Sequence, residues 1–241
     1  MKSFFDKLRS FRMLNQLRRL RLKYFPRPED IGIGKDHPLR FAESSTGIVH
    51  IGAHTGEEAW IYATFRRPVI WVEANPHLFP RLQKEISKYP KQIALQCLLT
   101  DREGESSDFL ITNNDGASGS ILQLAKHAQV YPEVEVTETI RLISRTLKSV
   151  LEENANYSKY NALVIDVQGA ELTVLRGAGN RLKQFKWIYA ECSDFELYKD
   201  CCTLYSLSTW LQEQGFYETR RNLMKDTDGI GSIYDVLFER R

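Results

Sequence analysis

The chain has 241 residues, room for one ordinary domain with an appendage. Hydrophobic residues make up 42% and charged residues 27%, which excludes a disordered or collagen-like chain, and no apolar run approaches the roughly 18 residues a membrane-spanning helix needs. The net charge of +2 is unevenly divided: residues 1–28 hold nine Lys/Arg against one acid, Asp6, so that of 33 basic and 31 acidic residues 24 and 30 remain for the rest, a balance of +8 on the arm and −6 on the body. A mildly acidic body argues against a general nucleic-acid surface. The four cysteines, at 97, 192, 201 and 202, follow no metal or disulfide spacing. No short apolar core with a small-residue cleavage site follows Met1, and a reducing, cytoplasmic setting is the expectation.

The first element is a basic helical arm. Phe4, Leu8, Phe11 and Leu14 share one face, Met13, Leu17, Leu20 and Tyr24 form a second stripe, and Pro26 and Pro28 end the pattern. Residues 1–46 therefore read as arm and linker, and 47–241 as the domain. The arm's cations are either the solvated side of a packing helix, or an anchor on an anionic membrane or a partner protein that would make the protein peripheral at the membrane; an RNA-gripping arm ranks third.

From Gly47 onward short apolar runs alternate with amphipathic stretches. Strands are expected at 48–51, 69–72, 93–98, 162–165 and 187–190, and helices at 57–65, 76–88, 171–175 and 205–214. Runs as wholly apolar as 162–165 suit strands buried on both faces, and the alternation points to an open α/β sheet. Residues 106–145 interrupt it with strands at 107–111 and 134–142 around a Gly/Asn/Ser loop, read as an insertion near the functional edge. The chain closes with strands at 216–219 and 233–239, joined by a polar loop and able to pair antiparallel.

Acidic and glycine residues collect where these strands end. Val49-His50-Ile51-Gly52-Ala53-His54-Thr55-Gly56 runs from a strand through a glycine turn to Glu57 at a helix start, a geometry that lets a ligand approach the backbone. It is not the dinucleotide fingerprint. Glu73, in Val69-Ile70-Trp71-Val72-Glu73-Ala74-Asn75-Pro76, closes the next strand about 20 residues on, where α/β nucleotide sites hold ribose hydroxyls, and one carboxylate can accept from both. An apolar surface near Cys97, Leu98 and Leu99 would suit adenine. In Leu163-Val164-Ile165-Asp166-Val167-Gln168-Gly169-Ala170-Glu171 an acid ends a buried strand and Glu171 opens a helix, and Glu191 repeats the arrangement after Trp187-Ile188-Tyr189-Ala190. Ligands of open α/β sheets bind outside the carboxyl ends of strands, so Gly52, Glu73 and Asp166 are expected around one crevice.

The ordered series Val-His-Ile-Gly-Ala-His-Thr-Gly, Ile-Trp-Val-Glu-Ala-Asn-Pro, Thr-Asp-Arg-Glu-Gly, Ile-Asp-Val-Gln-Gly-Ala-Glu and Tyr-Ala-Glu-Cys-Ser resembles the FkbM family of S-adenosylmethionine-dependent methyltransferases, over residues 47–240. The resemblance implies a class I methyltransferase Rossmann-like sheet of seven strands, the last antiparallel, and O-methylation of a hydroxyl on a carbohydrate, glycolipid or secondary metabolite. It implies S-adenosylmethionine contacts at His50, Gly52, Ala53, His54, Gly56, Glu57, Glu73, Ala74, Asn75, Cys97, Leu98 and Asp166. The chain departs from the family pattern at His50, where an acid is usual, at His54, where Asn is usual, and at Gln168, where Glu is common.

Methyl transfer from a sulfonium is an in-line displacement of an already activated group, so the protein must chiefly align the reactants and accept the hydroxyl proton. Asp166 is the expected base and Glu191 the second catalytic carboxylate. A divalent cation between them is the alternative, though two carboxylates are too few to expect one. The loop Asn113-Asn114-Asp115-Gly116-Ala117-Ser118-Gly119-Ser120 is flexible and rich in hydrogen-bonding groups, and Ser118, Ser120, His127 and Glu171 are read as contacts to the acceptor, a small molecule or glycan. The alternatives are a methyltransferase acting on RNA or another acceptor, and a non-catalytic adaptor of the same fold docking through its arm.

Overall fold

The computed structural model describes residues 33–241. The helical reading of the basic arm, residues 1–28, falls outside the described residues. In chain order the elements run β1 (Ile48–Ile51), α1 (Ala59–Thr64), β2 (Val69–Glu73), α2 (Phe79–Ile86), β3 (Gln92–Gln96), β4 (Leu98–Thr100), β5 (Ser106–Thr112) and α3 (His127–Val130). They continue with β6 (Val136–Thr146), α4 (Leu147–Glu152), β7 (Ala162–Ile165), α5 (Glu171–Gly177), β8 (Trp187–Ser193), α6 (Leu204–Glu213), β9 (Phe216–Asp226) and β10 (Ser232–Arg240).

Seven strands form one sheet in the order β3-β2-β1-β7-β8-β10-β9. β10 runs antiparallel to both its neighbours, and the pairs from β3 to β8 are parallel. This is the seven-stranded Rossmann-like sheet, last strand antiparallel, that the sequence led us to expect. The apolar runs explain it. Val49 and Ile51 of β1 join Leu163 and Ile165 of β7 against α4, α5 and α6 on one face. Ile48 and the alternate residues Ala162 and Val164 meet α1 and α2 on the other. Each fully buried Val, Leu or Ile side chain of this kind contributes about 1.5–3 kcal/mol.

Three expectations need correcting in detail. The third strand, read as 93–98, breaks at Cys97: its backbone N–H still donates to the Glu73 carbonyl at 3.2 Å, after which the chain leaves the main sheet as β4. β4 pairs with β6 in a second sheet of order β4-β6-β5, so the interruption at 106–145 is a small sheet built onto the rim of the large one. The strand read as 216–219 continues to Asp226, an eleven-residue strand joined to β10 by nine residue pairs across two register shifts. Finally, residues 33–46 are not a linker. A 3₁₀ turn at Pro38–Ser44 sets Leu39 and Ala42, with Ile33, into the core on the α1 face, and Phe41 stacks 5.8 Å from Tyr189.

The Thr-Asp-Arg-Glu-Gly motif holds the second sheet in place. The Glu103 carboxylate accepts from the Thr146 N–H at 2.7 Å and from the Ser149 hydroxyl at 2.7 Å, clamping the hairpin before β5 to the start of α4.

Candidate active site

The site is built where β1, β2 and β7 end side by side. Past β1, the N–H groups of Gly52 and Ala53 both donate to the Val72 carbonyl, at 3.0 and 3.1 Å, which turns the chain over the end of β2. Gly52 sits at φ +78°, and a Cβ there would lie 1.6 Å from the backbone oxygen of Asp166. Close passage of β1 over β7 alone therefore requires the glycine, before any ligand is considered. Glu73 is buried at the end of β2. Its Oε2 accepts from the His54 N–H at 2.8 Å and its Oε1 from the Asn75 N–H at 2.7 Å. Burial pushes its pKa up, against the pull of those two N–H groups. Lone pairs on the carboxylate stay available to a ligand.

Between these ends lies a cavity of about 290 Å³. Of the twelve expected cofactor contacts, ten line it; Gly56 and Asn75 do not. Gly56 faces α2, where a Cβ would meet Leu82 at 2.9 Å. Asn75 turns inward, its Oδ1 accepting from the His77 N–H at 2.9 Å. Opposite Glu73, one wall is apolar: Leu98 and Leu99 of the β4 strand, Phe109 of β5, and Ile121. The second sheet thus places apolar side chains near Cys97, and burial pushes the Cys97 thiol up to about 11, leaving it protonated and inert.

The two histidines of the turn differ in kind. His50 is buried, stacked 4.6 Å from Trp71, with Nδ1 3.1 Å from the Tyr62 hydroxyl. Burial lowers its pKa to about 3, so it is neutral and brings no charge to the place where an acid is usual. His54 sits at φ +46°, with Nδ1 2.9 Å from Glu57 Oε1 and Nε2 3.2 Å from the Asp115 carbonyl. Both partners accept, so both ring nitrogens must donate, and the ring is an imidazolium. Burial works against that charge, but Glu57, the Asp115 carbonyl and Glu73 raise the pKa above its ordinary value. His54 thereby ties the glycine turn to the loop at 113–120, whose Asp115 also pairs with Arg81 at 2.6 Å.

Asp166 ends β7 half-buried, its backbone N–H bonded to the Ile51 carbonyl at 3.0 Å. Desolvation, with Asp235 nearby, raises its pKa to about 6 against hydrogen bonds from Gln168. Glu191, on β8, does not line this cavity. It borders an adjoining cavity of about 20 Å³ with Glu171 and Tyr198. The charge of Asp166, then burial and Asp235, push its pKa well above the carboxylate range.

The four residues read as acceptor contacts are all buried and engaged within the protein. Ser118 Oγ accepts from Asn114 Nδ2 at 2.9 Å and lies 3.0 Å from His127 Nε2. The Ser120 hydroxyl donates to the Gln168 carbonyl at 2.8 Å. Glu171 accepts from the Val167 and Gly169 N–H groups, at 3.0 and 3.1 Å. None of the four lines the large cavity; they brace the loops that do.

A family model described as the methyltransferase FkbM domain matches residues 50–218. The chain belongs to the FkbM methyltransferase family. A curated relative, the 2-O-methyltransferase NoeI of Sinorhizobium fredii, is 29% identical over 160 residues, covering 63% of this chain and 65% of its own length, so the chain spans slightly less than two thirds of that relative. Among solved structures it is similar to the magnesium protoporphyrin IX methyltransferase of Synechocystis with bound SAM (TM-score 0.45, 8% identity, 82% of this chain and 71% of that one). A second is a precorrin-6y C5,15-methyltransferase of Geobacter metallireducens (TM-score 0.41, 9% identity, 81% and 80%).

Two features of this FkbM domain were not visible in its sequence. Glu58, beside the singled-out Glu57, lines the cavity and is pushed up to about 7 by burial with Glu57 and Asp166 nearby. Nothing in two adjacent glutamates says which one the helix start will bury. Tyr198 reaches Gln168 from thirty residues away with no local signal. Among the described residues no group of three or more His, Cys, Asp or Glu is placed to hold a metal ion, and no helix is long and apolar enough to cross a membrane.

Proposed function

We propose that the chain is an S-adenosylmethionine-dependent O-methyltransferase acting on a hydroxyl of a carbohydrate, glycolipid or similar polyol. The observation that carries the reading is the convergence of Glu73, the glycine turn, an apolar wall and Asp166 on one cavity at the carboxyl ends of parallel strands, in a member of a methyltransferase family. The donor set fits a nucleoside: Glu73 has lone pairs for ribose hydroxyls, Leu98, Leu99, Phe109 and Ile121 offer an apolar slot for a purine, and a volume near 300 Å³ suits a small ligand. The relative's name, 2-O-methyltransferase, supports a sugar-like acceptor.

When bound, S-adenosylmethionine supplies a sulfonium-activated methyl group. The rest of the chemistry falls to the chain. Glu73 and the turn at Gly52–Gly56 hold the nucleoside, and the apolar wall excludes water. Asp166, ionised above about pH 6, takes the acceptor hydroxyl's proton as the new bond forms. Neutral His50 supports Trp71 and Tyr62 beneath the site and moves no proton.

Calorimetry with S-adenosylmethionine and its demethylated product tests the first half: the full chain should bind both, and absence of binding would leave the adaptor reading. An acceptor screen with labelled donor tests the second half, and transfer to RNA in preference to sugars would replace the acceptor assignment. For the arm, the +8 charge of residues 1–28 supports a contact with an anionic membrane or an acidic partner. Deleting it should abolish pelleting with anionic vesicles and leave donor binding intact.

A further inference from the structure

The side chain of Gln168 connects the two carboxylates that the sequence places at neighbouring strand ends. Its Nε2 lies 2.6 Å from Asp166 Oδ1 and 3.3 Å from Glu191 Oε1, and its Oε1 accepts from the Tyr198 hydroxyl at 2.5 Å. These partners fix which way the amide faces. The ionised Asp166 carboxylate only accepts, the phenol has a proton to give, and a protonated Glu191 still offers its carbonyl oxygen, so the amide's two N–H bonds are spent on the two acids. The backbone is held as well. Gln168 occupies the left-handed region at φ +54°, a strained conformation for a residue with a side chain, and its carbonyl accepts from the Ser120 hydroxyl at 2.8 Å. A residue strained in its backbone and bonded through every polar side-chain atom is over-determined by its surroundings.

We propose that Gln168, aimed by Tyr198, is a positioning residue that bridges Asp166 and Glu191 and keeps Asp166 the ionised proton acceptor of the pair. The proposal rests on the reading of Asp166 as the base. Asp166 is faced by Glu191 on β8, Asp235 on β10, Glu58 at the start of α1, Glu171 on α5 and the His54 imidazolium. Four of these five are acids that disfavour a second negative charge. His54 favours the charge from the turn, and Gln168 is the neutral group that donates to it directly. Remove the amide's donors, and the proton now resting on Glu191 is shared with Asp166, which becomes neutral at a pH where the base is needed.

Q168M keeps the length of the side chain and deletes both donors; Y198F keeps the ring and releases the amide's orientation. In protein labelled with ¹³C at aspartate carboxyls, with the Asp166 signal assigned by its loss in D166N, Q168M should raise the Asp166 midpoint by on the order of one pH unit. Y198F should move it less and in the same direction. The ascending limb of kcat against pH should shift with it, lowering turnover about tenfold below the new midpoint, while affinity for S-adenosylhomocysteine stays within about twofold. An unmoved Asp166 midpoint in both variants, with D166N inactive, overturns this proposal alone. Full turnover in D166N overturns the base reading, and this proposal with it.

Discussion

Glu73→Gln exchanges one oxygen of a buried carboxylate for an NH₂ group and leaves shape and volume unchanged. In the native protein each oxygen accepts one backbone N–H, from His54 and from Asn75. Whichever way the new amide turns, its NH₂ faces one of those donors, so one charge-assisted hydrogen bond is lost, at about 1.5–3 kcal/mol. For a domain of this size the melting temperature should fall by roughly 3–12 °C. The same NH₂ removes one acceptor for the ribose, and a loss of about 1.5–3 kcal/mol there weakens binding roughly 10- to 150-fold. Scanning calorimetry on the free protein and titration calorimetry with S-adenosylhomocysteine read the two effects separately. Unchanged affinity beside a lowered melting temperature would reduce Glu73 to a clamp on the glycine turn, and unchanged melting would show that the two N–H bonds carry no weight in the fold.

Asp166→Asn should cut kcat by about 10²- to 10⁴-fold, the range for a lost general base; wild-type turnover in this variant would refute the base assignment. Because the base must be ionised and the Asp166 pKa stands at about 6, kcat should rise as pH increases through about 6 and level off above, and a profile falling across that range would contradict the assignment. Glu171, pushed up to about 7 from 4.5 by burial, is protonated in the folded chain over a range where the unfolded chain is ionised. Stability is then lost as pH rises from about 4.5 through about 7, by about 3 kcal/mol, and Glu171→Gln, which retains the acceptor for Val167 and Gly169, should remove that slope in urea titrations at pH 5 and pH 8. Gly52→Ala forces a left-handed alanine against the Asp166 carbonyl and should cost about 2–5 kcal/mol; a urea midpoint within error of wild type would mean the two strand ends move apart freely.

Much of the architecture was legible locally. Wholly apolar runs at 48–51 and 162–165 could be satisfied only by burial on two faces, and the period change between strands and helices fixed an open α/β sheet. The acids at 73 and 166 were legible as strand-end residues because each directly follows such a run, the place where open α/β sheets bind ligands. What was misread turned on partners distant in sequence. Residues 33–46 belong to the stretch read as arm and linker, yet Ile33, Leu39 and Ala42 join the buried cluster on the α1 face. Ser118 and Ser120, expected as acceptor contacts, have hydroxyls engaged by His127 and by the Gln168 carbonyl.

The sequence by itself determined the family, the order of strands and helices, and the residues standing at the strand ends, because hydrophobic period and chain adjacency are local properties. Only the tertiary structure decided which carboxylate faces which cavity. Both Asp166 and Glu191 follow an apolar run, yet Asp166 stands past the end of β7 and lines the large cavity, whereas Glu191 lies within β8, paired with Asp235 of β10, and meets that cavity through Gln168. A carboxylate's environment is the sum of dipoles and charges that folding brings within a few ångströms, and for Asp166 these come from β10, α1 and Tyr198, all distant in the chain, as well as from the neighbouring Gln168 and α5.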